Sequence, residues 1–224
     1  MATVRARDED QKLARKHTLM DAGWTLFTEN DGQLPSVAQV VKKAGLAKGT
    51  FYLYFKTKEE LFLEVLGDAV KRFFDNLKQA LGDDAIDLDP LIDNFVQYLC
   101  EDDALIQLGC LLSGVIEQNT EEAVILKFKM QMVQMLFEVG EIISSAVDRA
   151  IEEGKPYRPI EHGCASRLLL RSYAAFVGIA QMVPQANSPY LDLPALEPIK
   201  LDLAGDTKAI VKSLWHDALI NCDQ

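Results

Sequence analysis

Polar and apolar side chains alternate in a short stretch near the N-terminus, where Lys48, Thr50, Tyr52 and Tyr54 are interleaved with Gly49 and aromatic residues. An ammonium group and hydroxyl groups can donate hydrogen bonds to phosphate oxygens and to the edges of DNA bases. A glycine inside a helix costs about 1 kcal/mol relative to alanine, so Gly49 predicts a close approach of the backbone to a partner. The chemistry that this stretch could perform is therefore the binding of a nucleic acid.

Two short helices joined by a tight turn would hold these side chains in place. Ser36 is a good N-cap for the first helix, and the turn after that helix contains Gly45, which can take the left-handed conformation that ends a helix. In the second helix Phe51 and Phe55 lie four residues apart and are expected to pack inward. This arrangement is a helix-turn-helix. An ordinary helical hairpin would show the same pattern, so the pattern alone leaves both interpretations open.

The charge of the chain is divided unevenly. Residues 1–56 contain nine Lys or Arg and six Asp or Glu, a net charge of +3, whereas residues 57–224 contain 14 basic and 28 acidic residues, a net charge of −14. The total of −11 argues at first against a polyanionic partner. The uneven distribution of charge nevertheless leaves an N-terminal module with a net positive charge, which DNA does not repel. It therefore favours the DNA-binding interpretation.

Apolar residues recur at helical spacing through most of the chain, and no clear strand pattern is present. Thr57 is the expected cap of a fourth helix. A seventh helix, at about 121–153, has apolar residues nearly all round and is predicted to be central and buried on most faces. A Pro-rich connection at 184–205 precedes the last helix. We predict an all-α fold of about nine helices, with a helix-turn-helix domain at 1–56 and a helical body at 57–224.

Three features argue against an enzyme, a metalloprotein or a membrane protein. The histidines are scattered, and HExxH, a nucleophile elbow and a Gly-rich phosphate loop are missing, so we expect no catalytic residues. Cys100, Cys110, Cys164 and Cys222 form no CxxC pair, and we interpret them as thiols without a metal or cofactor. The N-terminus lacks a signal-peptide pattern and the longest uncharged stretch, 172–191, contains proline, so we expect a cytoplasmic protein without a membrane span.

A family resemblance lies in the segment 36–62, which reads SVAQVVKKAGLAKGTFYLYFKTKEELF. It closely resembles the DNA-binding motif of the TetR family, A-G-hydrophobic-S-K-G-T-hydrophobic-Y-x-(H/Y)-F-x-(S/T)-K-E-x-L, and with the preceding helix the match covers about residues 8–66. Two positions depart from the motif. Ala47 stands where serine is frequent, which removes a helix cap. Val37 stands where threonine is common, which removes one phosphate contact that Ser36 could supply.

The resemblance implies a role in DNA binding for seven residues. Phosphate contacts position the protein on the duplex, whereas contacts to base edges select the sequence. The resemblance places Ser36, Tyr52 and Lys58 at phosphates. It places Lys48, Thr50 and the protein backbone of Gly49 at base edges. Tyr54 would contact the DNA backbone or a sugar.

The resemblance also implies how such a protein works. A homodimer would bind a palindromic operator in double-stranded DNA, and a small, mostly apolar effector would release it, so the protein would be a ligand-responsive transcriptional repressor. Two alternatives stay open, namely a TetR-like protein with a role in chromosome organisation or cell division, and an activator. A purely structural helical protein would instead show no specific DNA binding.

The body should contain an effector pocket and a dimer interface, although packing within one core would explain the same side chains. Pockets of this kind are mostly apolar. The pocket candidates among the fourth to eighth helices are Phe73, Leu77, Phe95, Tyr98, Leu99, Cys110, Phe128, Met132, Met135, Tyr173 and Phe176. The interface candidates on the last two helices are Leu169, Phe176, Val211, Leu214 and Trp215.

Overall fold

The computed structural model describes residues 2–82, 84–183 and 194–220. Over these residues the chain is helical and has no strand, which confirms the predicted all-α fold. The first half of the Pro-rich connection, 184–193, and Cys222 lie outside the described residues. The α-helices of the described ranges are α1 (Ala2–Glu29), α2 (Val37–Ala44), α3 (Lys48–Tyr52), α4 (Lys58–Leu81), α5 (Leu88–Glu101), α6 (Asp103–Leu111), α7 (Glu122–Glu152), α8 (Cys164–Met182) and α9 (Leu203–Leu219).

Local caps define the ends of the short helices. Gly45 follows α2 with φ of 66° and ψ of 28°, the left-handed conformation that the sequence predicts there. The amide of Leu46 then donates to the carbonyl of Val41 at 2.9 Å, which closes the turn before α3. At the start of α4 the Thr57 hydroxyl accepts from the amide of Glu60 at 3.1 Å, as expected for its predicted cap.

The first of two compact units consists of Met1–Asp68 and Leu111–Phe128. Its core is aromatic: the rings of Phe27 and Phe62 are 5.4 Å apart, and Phe51 from α3 is fully buried. Burial of such rings stabilises a small helical unit because each removes a large apolar area from water. The unit includes the start of α4 and the segment before α7, and the predicted boundary after residue 56 stays a prediction.

The second compact unit consists of Ala69–Cys110 and Lys129–Gln224. Within its described residues α9 packs against α8 and α5. At the α8–α9 contact the Trp215 indole donates to the Ser172 hydroxyl at 3.1 Å, so a polar group inside this core is satisfied. Gly140 on α7 allows close packing against Ser166 on α8, whose hydroxyl would collide with a Cβ at that position.

The long helix α7 is less buried than its sequence predicts. Its second half is covered, and Val139, Ile143, Ala146 and Val147 are fully buried. The other helices of the described chain cover only one side of its first half, so apolar side chains on the opposite side are left in solvent. Four of them, at helical spacing and each at least 40% exposed, are Leu126, Met130, Val133 and Phe137.

Two further findings on the described residues concern membrane spans and metal sites. No helix among them is both long enough and apolar enough to cross a membrane. In the same residues, no group of three or more His, Cys, Asp or Glu side chains is placed to hold a metal ion.

Candidate nucleic-acid interface and effector pocket

The second helix of the helix-turn-helix, α3, is five residues long and buries one face. Phe51 and the following Phe55 are buried with their rings 5.5 Å apart, which confirms the inward packing that their spacing predicts. The backbone before α3 is extended at Ala47, and no side chain caps the helix there because alanine has no acceptor. Lys48 and Tyr52 of the same helix are exposed to solvent.

Gly49 is exposed as well. A Cβ built on Gly49 would meet no atom within 4 Å, and its φ is not in the left-handed region. Nothing inside the described chain therefore requires glycine at this helical position. The neighbouring candidates Thr50 and Tyr54 are half-buried, so less of each side chain is available to a partner.

Ser36 has a structural role within the chain. Its hydroxyl accepts from the amide of Gln39 at 3.3 Å, and its own amide donates to Gln39 Oε1 at 2.8 Å, which is a capping box at the start of α2. The Ser36 hydroxyl also donates to Gln39 Oε1 at 2.7 Å. A hydrogen bond from Ser36 to a phosphate would have to replace the donation to Gln39.

Lys58 is turned toward the interior of the same unit. Its ammonium donates to the carbonyl of Leu34 at 3.3 Å and lies 4.0 Å from Glu59 Oε1. This half-buried position ties the start of α4 to the segment before α2. A contact between Lys58 and a phosphate would require the ammonium to leave the Leu34 carbonyl.

A further cation, Lys56, lies between α3 and α4, and the sequence analysis did not assign it a role. Its ammonium is 2.6 Å from Glu121 Oε2, next to the start of α7. The hydrogen bond to Glu121, reinforced by the negative charge of that carboxylate, raises the pKa of Lys56 above its ordinary value. The only sequence signal for Lys56 was its position beside the motif, because Glu121 is far away along the chain.

An apolar cavity that is partly open to solvent lies within the second unit, and its empty space, including the open part, is about 390 Å³. Helices α4 to α8 contribute to its wall, and all the lining side chains except that of Tyr173 are hydrocarbon or thioether. Four predicted pocket residues, Phe73, Leu99, Met132 and Tyr173, are among them. The complete lining is Val70, Phe73, Phe74, Leu99, Leu105, Met132, Leu136, Leu169, Leu170 and Tyr173.

The other pocket candidates do not line this cavity. Leu77 and Phe95 line a smaller one of about 210 Å³ next to α9, whereas Phe176 is fully buried in the core. Phe128 belongs to the first unit, where its ring lies 3.8 Å from the Cβ position of Gly67. The half-buried candidates that line neither cavity are Tyr98, Cys110 and Met135.

The hydroxyl of Tyr173 is already used by the protein. It donates to the backbone carbonyl of Leu105 at 3.3 Å. Removal from water raises the pKa of Tyr173 well above its ordinary value, so the phenol stays neutral. Gly109 leaves the space that this hydroxyl occupies, because a Cβ there would collide with it. The cavity therefore presents almost no polar group to a ligand.

The interface candidates are mostly inside the chain itself. Leu169, Phe176, Val211 and Trp215 are buried, and Leu214 is half-buried. Packing of α8 and α9 within one chain accounts for this burial, and the role of these residues in a dimer stays a prediction. The large apolar side chains that the second unit exposes on α7, α8 and α9 are Met130, Val133, Phe137, Leu170, Met182 and Ile210.

Two family profiles match the chain over nearly its whole described length. The profile described as "Bacterial regulatory proteins, tetR family" matches residues 19–65. The profile described as "Tetracyclin repressor-like, C-terminal domain" matches residues 67–216.

Individual relatives match less than half of the chain. The fatty acid metabolism regulator protein of Bacillus subtilis is 36% identical over 73 residues, which are 31% of this chain and 38% of the relative. The regulator YdgC of Bacillus subtilis is 29% identical over 108 residues, which are 45% of this chain and 55% of the relative. The repressor KstR2 of Mycolicibacterium smegmatis is 30% identical over 71 residues, 32% of this chain and 35% of the relative. The chain thus spans between about one third and just over half of these relatives' length.

Solved structures share the fold over most of the chain. FadR from Bacillus subtilis in complex with stearoyl-CoA has a TM-score of 0.55 at 17% identity, covering 88% of this chain and 96% of that one. SmeT in complex with triclosan has a TM-score of 0.57 at 20% identity, covering 93% of this chain and 92% of that one. At such identities the likeness concerns the fold alone.

Proposed function

The chain belongs to the TetR family of bacterial transcriptional regulators, and from this premise we propose that it is a repressor which binds a palindromic operator as a homodimer and leaves it when a small apolar effector binds. The observation that carries the DNA-binding part is Gly49. It lies on the solvent side of α3, where no atom of the described chain requires glycine. A close approach of DNA to the backbone explains it, because glycine is otherwise unfavourable inside a helix.

The surroundings of Gly49 support contact with a duplex. Lys48 and Tyr52 are exposed on the same short helix and can donate hydrogen bonds. The net charge of +3 over residues 1–56, against −14 for the remainder, orients this module toward a polyanion. We propose that α3 enters the major groove, with Lys48 and Thr50 at base edges and Tyr52 at a phosphate.

The homodimer is supported by the apolar side chains that the second unit leaves in water. Leu170 on α8 and Ile210 on α9 are exposed beside buried neighbours on the same helices. Large apolar side chains exposed together mark interaction surfaces in soluble proteins. A twofold dimer would present two copies of α3 to half-sites about one helical turn of DNA apart.

The effector is proposed to occupy the cavity among α4 to α8. Its wall is hydrocarbon and thioether apart from the Tyr173 phenol, whose hydroxyl is bonded to Leu105. Such a wall selects a ligand by burial of apolar surface and not by hydrogen bonds. The FadR relative was solved with stearoyl-CoA, which carries a long hydrocarbon chain, and we propose a lipophilic effector of this chemical class.

Release from DNA would follow from differential binding of the effector to two conformations. Helix α4 contributes Lys58 to the first unit, and Val70, Phe73 and Phe74 to the cavity wall in the second. An effector that fits one arrangement of α4 better than another shifts the population toward it. Operator affinity then falls by the same coupling factor that links the two ligands.

Selection of duplexes from a random pool, followed by footprinting, tests this function. We expect a selected sequence with twofold symmetry, and its release by stearoyl-CoA or other long-chain acyl compounds but not by acetyl-CoA. Absence of any sequence preference would contradict a specific regulator. Many scattered chromosomal sites without a promoter would favour the chromosome-organising alternative, and stimulated transcription at the selected site would favour an activator.

A further inference from the structure

Lys56 and Glu121 form an ion pair within the first compact unit. The distance between Lys56 Nζ and Glu121 Oε2 is 2.6 Å, and the two side chains are 65% and 55% exposed. Both residues belong to the compact unit that contains the helix-turn-helix. The pair therefore joins the loop after α3 to the start of α7, with its charged groups in solvent.

The backbone at Lys56 is held in place while its side chain is exposed. The amide of Lys56 donates to Glu60 Oε2 at 2.5 Å, and the amide of Glu60 donates to the Thr57 hydroxyl at 3.1 Å. These bonds fix the chain immediately after α3. Since Lys58 is turned toward the Leu34 carbonyl, Lys56 is the more exposed ammonium on this loop.

Glu121 is held by the start of α7. Its carbonyl accepts from the amides of Val124 and Ile125 at 3.0 and 3.1 Å, which anchors it as the first acceptor of that helix. The segment that leads into it is a π-helix at Leu112–Ile116 followed by a 3-10 turn at Glu117–Asn119. Irregular helical segments of this kind are common at functional hinges.

We propose that Lys56 binds a phosphate of the DNA backbone and that Glu121 is its competitor within the chain. The proposal rests on the DNA-binding function proposed above. A lysine ammonium can neutralise one phosphate and release one counterion, but only after it leaves the carboxylate that holds it. The carboxylate of Glu121 weakens DNA binding in two ways. It forms an ion pair with the ammonium that would otherwise bind a phosphate, and its negative charge repels the phosphates.

The effect of this competition on DNA affinity is expected to be small. Exposed ion pairs contribute little to stability, so loss of Glu121 should strengthen DNA binding by no more than about fivefold. A position of α7 that moved Glu121 away from Lys56 would have the same effect as removing its charge. The pair thus couples the start of α7 to the affinity of the module for DNA of any sequence.

Fluorescence anisotropy with a labelled random-sequence duplex at low salt tests the proposal on the full-length chain. The variants are Glu121→Gln, Lys56→Ala and their combination, and Glu122→Gln is the matched control because Glu122 is the exposed neighbour with the same charge. We expect Glu121→Gln to tighten binding severalfold and Glu122→Gln to change it less. Lys56→Ala should weaken binding and make the negative slope of log affinity against log salt shallower by about one unit.

The combined variant distinguishes competition from a general field effect. If Glu121 acts through Lys56, its substitution in the Lys56→Ala background should give no more than the Glu122→Gln effect. Equal effects of the two glutamate substitutions, or an unchanged salt slope for Lys56→Ala, would overturn the proposal. Failure of the unmodified chain to bind any duplex would instead overturn the proposed function itself.

Discussion

Gly49 sits inside α3, and its substitution separates folding from DNA binding. We expect Gly49→Ala to leave the free energy of unfolding unchanged or to raise it by up to about 1 kcal/mol, because the new methyl group meets no atom of the described residues. The same methyl group would hold the duplex away from the helix backbone. Affinity for the selected operator should therefore fall at least tenfold, as measured by anisotropy beside urea unfolding.

Gly67 provides the control for this prediction. It lies in α4 of the same unit, and an added Cβ would make ordinary contact with the Phe128 ring at 3.8 Å. Gly67→Ala should leave operator affinity unchanged. Equal operator affinities for Gly49→Ala and the unmodified chain would show that DNA does not approach this glycine closely.

At the level of single residues, the sequence predicted the exposure of side chains in the DNA-binding motif better than it predicted their hydrogen bonds within the chain. Lys48 and Tyr52, which the family resemblance places at DNA, are exposed. The inward turn of Lys58 was not predicted, because its acceptor is the carbonyl of Leu34, 24 positions away. Such a bond depends on how α2 and α4 pack, which residue type and local spacing do not specify.

A cluster of charges connects two helices of the second unit. Asp89 on α5 is 2.9 Å from the Lys212 ammonium and 3.1 Å from His216 Nε2 on α9. Hydrogen bonds from Lys212 and then from His216 lower the pKa of Asp89 below its ordinary value of 3.8. The ionised carboxylate is thus favoured in the folded state, and its contribution is present above pH 3.8 and lost as the pH falls through the lowered pKa.

Thermal unfolding at different pH values checks this contribution. We expect Asp89→Asn to have a slightly lower Tm than the unmodified chain at neutral pH. The difference should shrink as the pH falls below 3.8 and vanish once the pH is below the lowered pKa of Asp89. Asp75→Asn, on the exposed face of α4, is the control and should give no such difference. A Tm difference for Asp89→Asn that persists in strong acid would show that the charge is not its cause.

At the level of helices, spacing predicted their number and order but not which faces the neighbours cover. Val211 and Trp215 of α9 are interface candidates that are also buried against helices of their own chain, and their role in a dimer stays a prediction. Conversely, α7 was expected to be central and exposes Met130 and Phe137. A single apolar face looks the same in sequence whether an internal helix or a second chain covers it, and only the three-dimensional packing decides.

Self-association of the whole molecule is expected to depend on Leu170. This side chain is 47% exposed on α8 and also lines the cavity, and its exposed part would keep an introduced charge hydrated in a monomer. In a dimer that buries this face, the same charge would be desolvated without a partner. We therefore expect Leu170→Glu to shift the chain from dimer to monomer in sedimentation experiments, with an unchanged helical circular dichroism spectrum.

Leu13 gives the matched control, because it is similarly exposed but lies on α1 of the first unit. Leu13→Glu should leave the sedimentation coefficient of the dimer unchanged. A monomeric unmodified chain would contradict the proposed homodimer, and a dimeric Leu170→Glu variant would place the interface on another face.

The almost complete lack of polar groups in the cavity limits how selectively this regulator could respond to one ligand among similar ones. A site that forms buried hydrogen bonds rejects analogues strongly, whereas one methylene in an apolar site changes binding by only about 1–3 kcal/mol. With the Tyr173 hydroxyl bonded to Leu105, the wall offers little with which to tell similar hydrocarbon chains apart. Such a sensor would respond to the combined abundance of a class of lipophilic molecules. The hydrocarbon chain length of each molecule would set its affinity and therefore its share of the response.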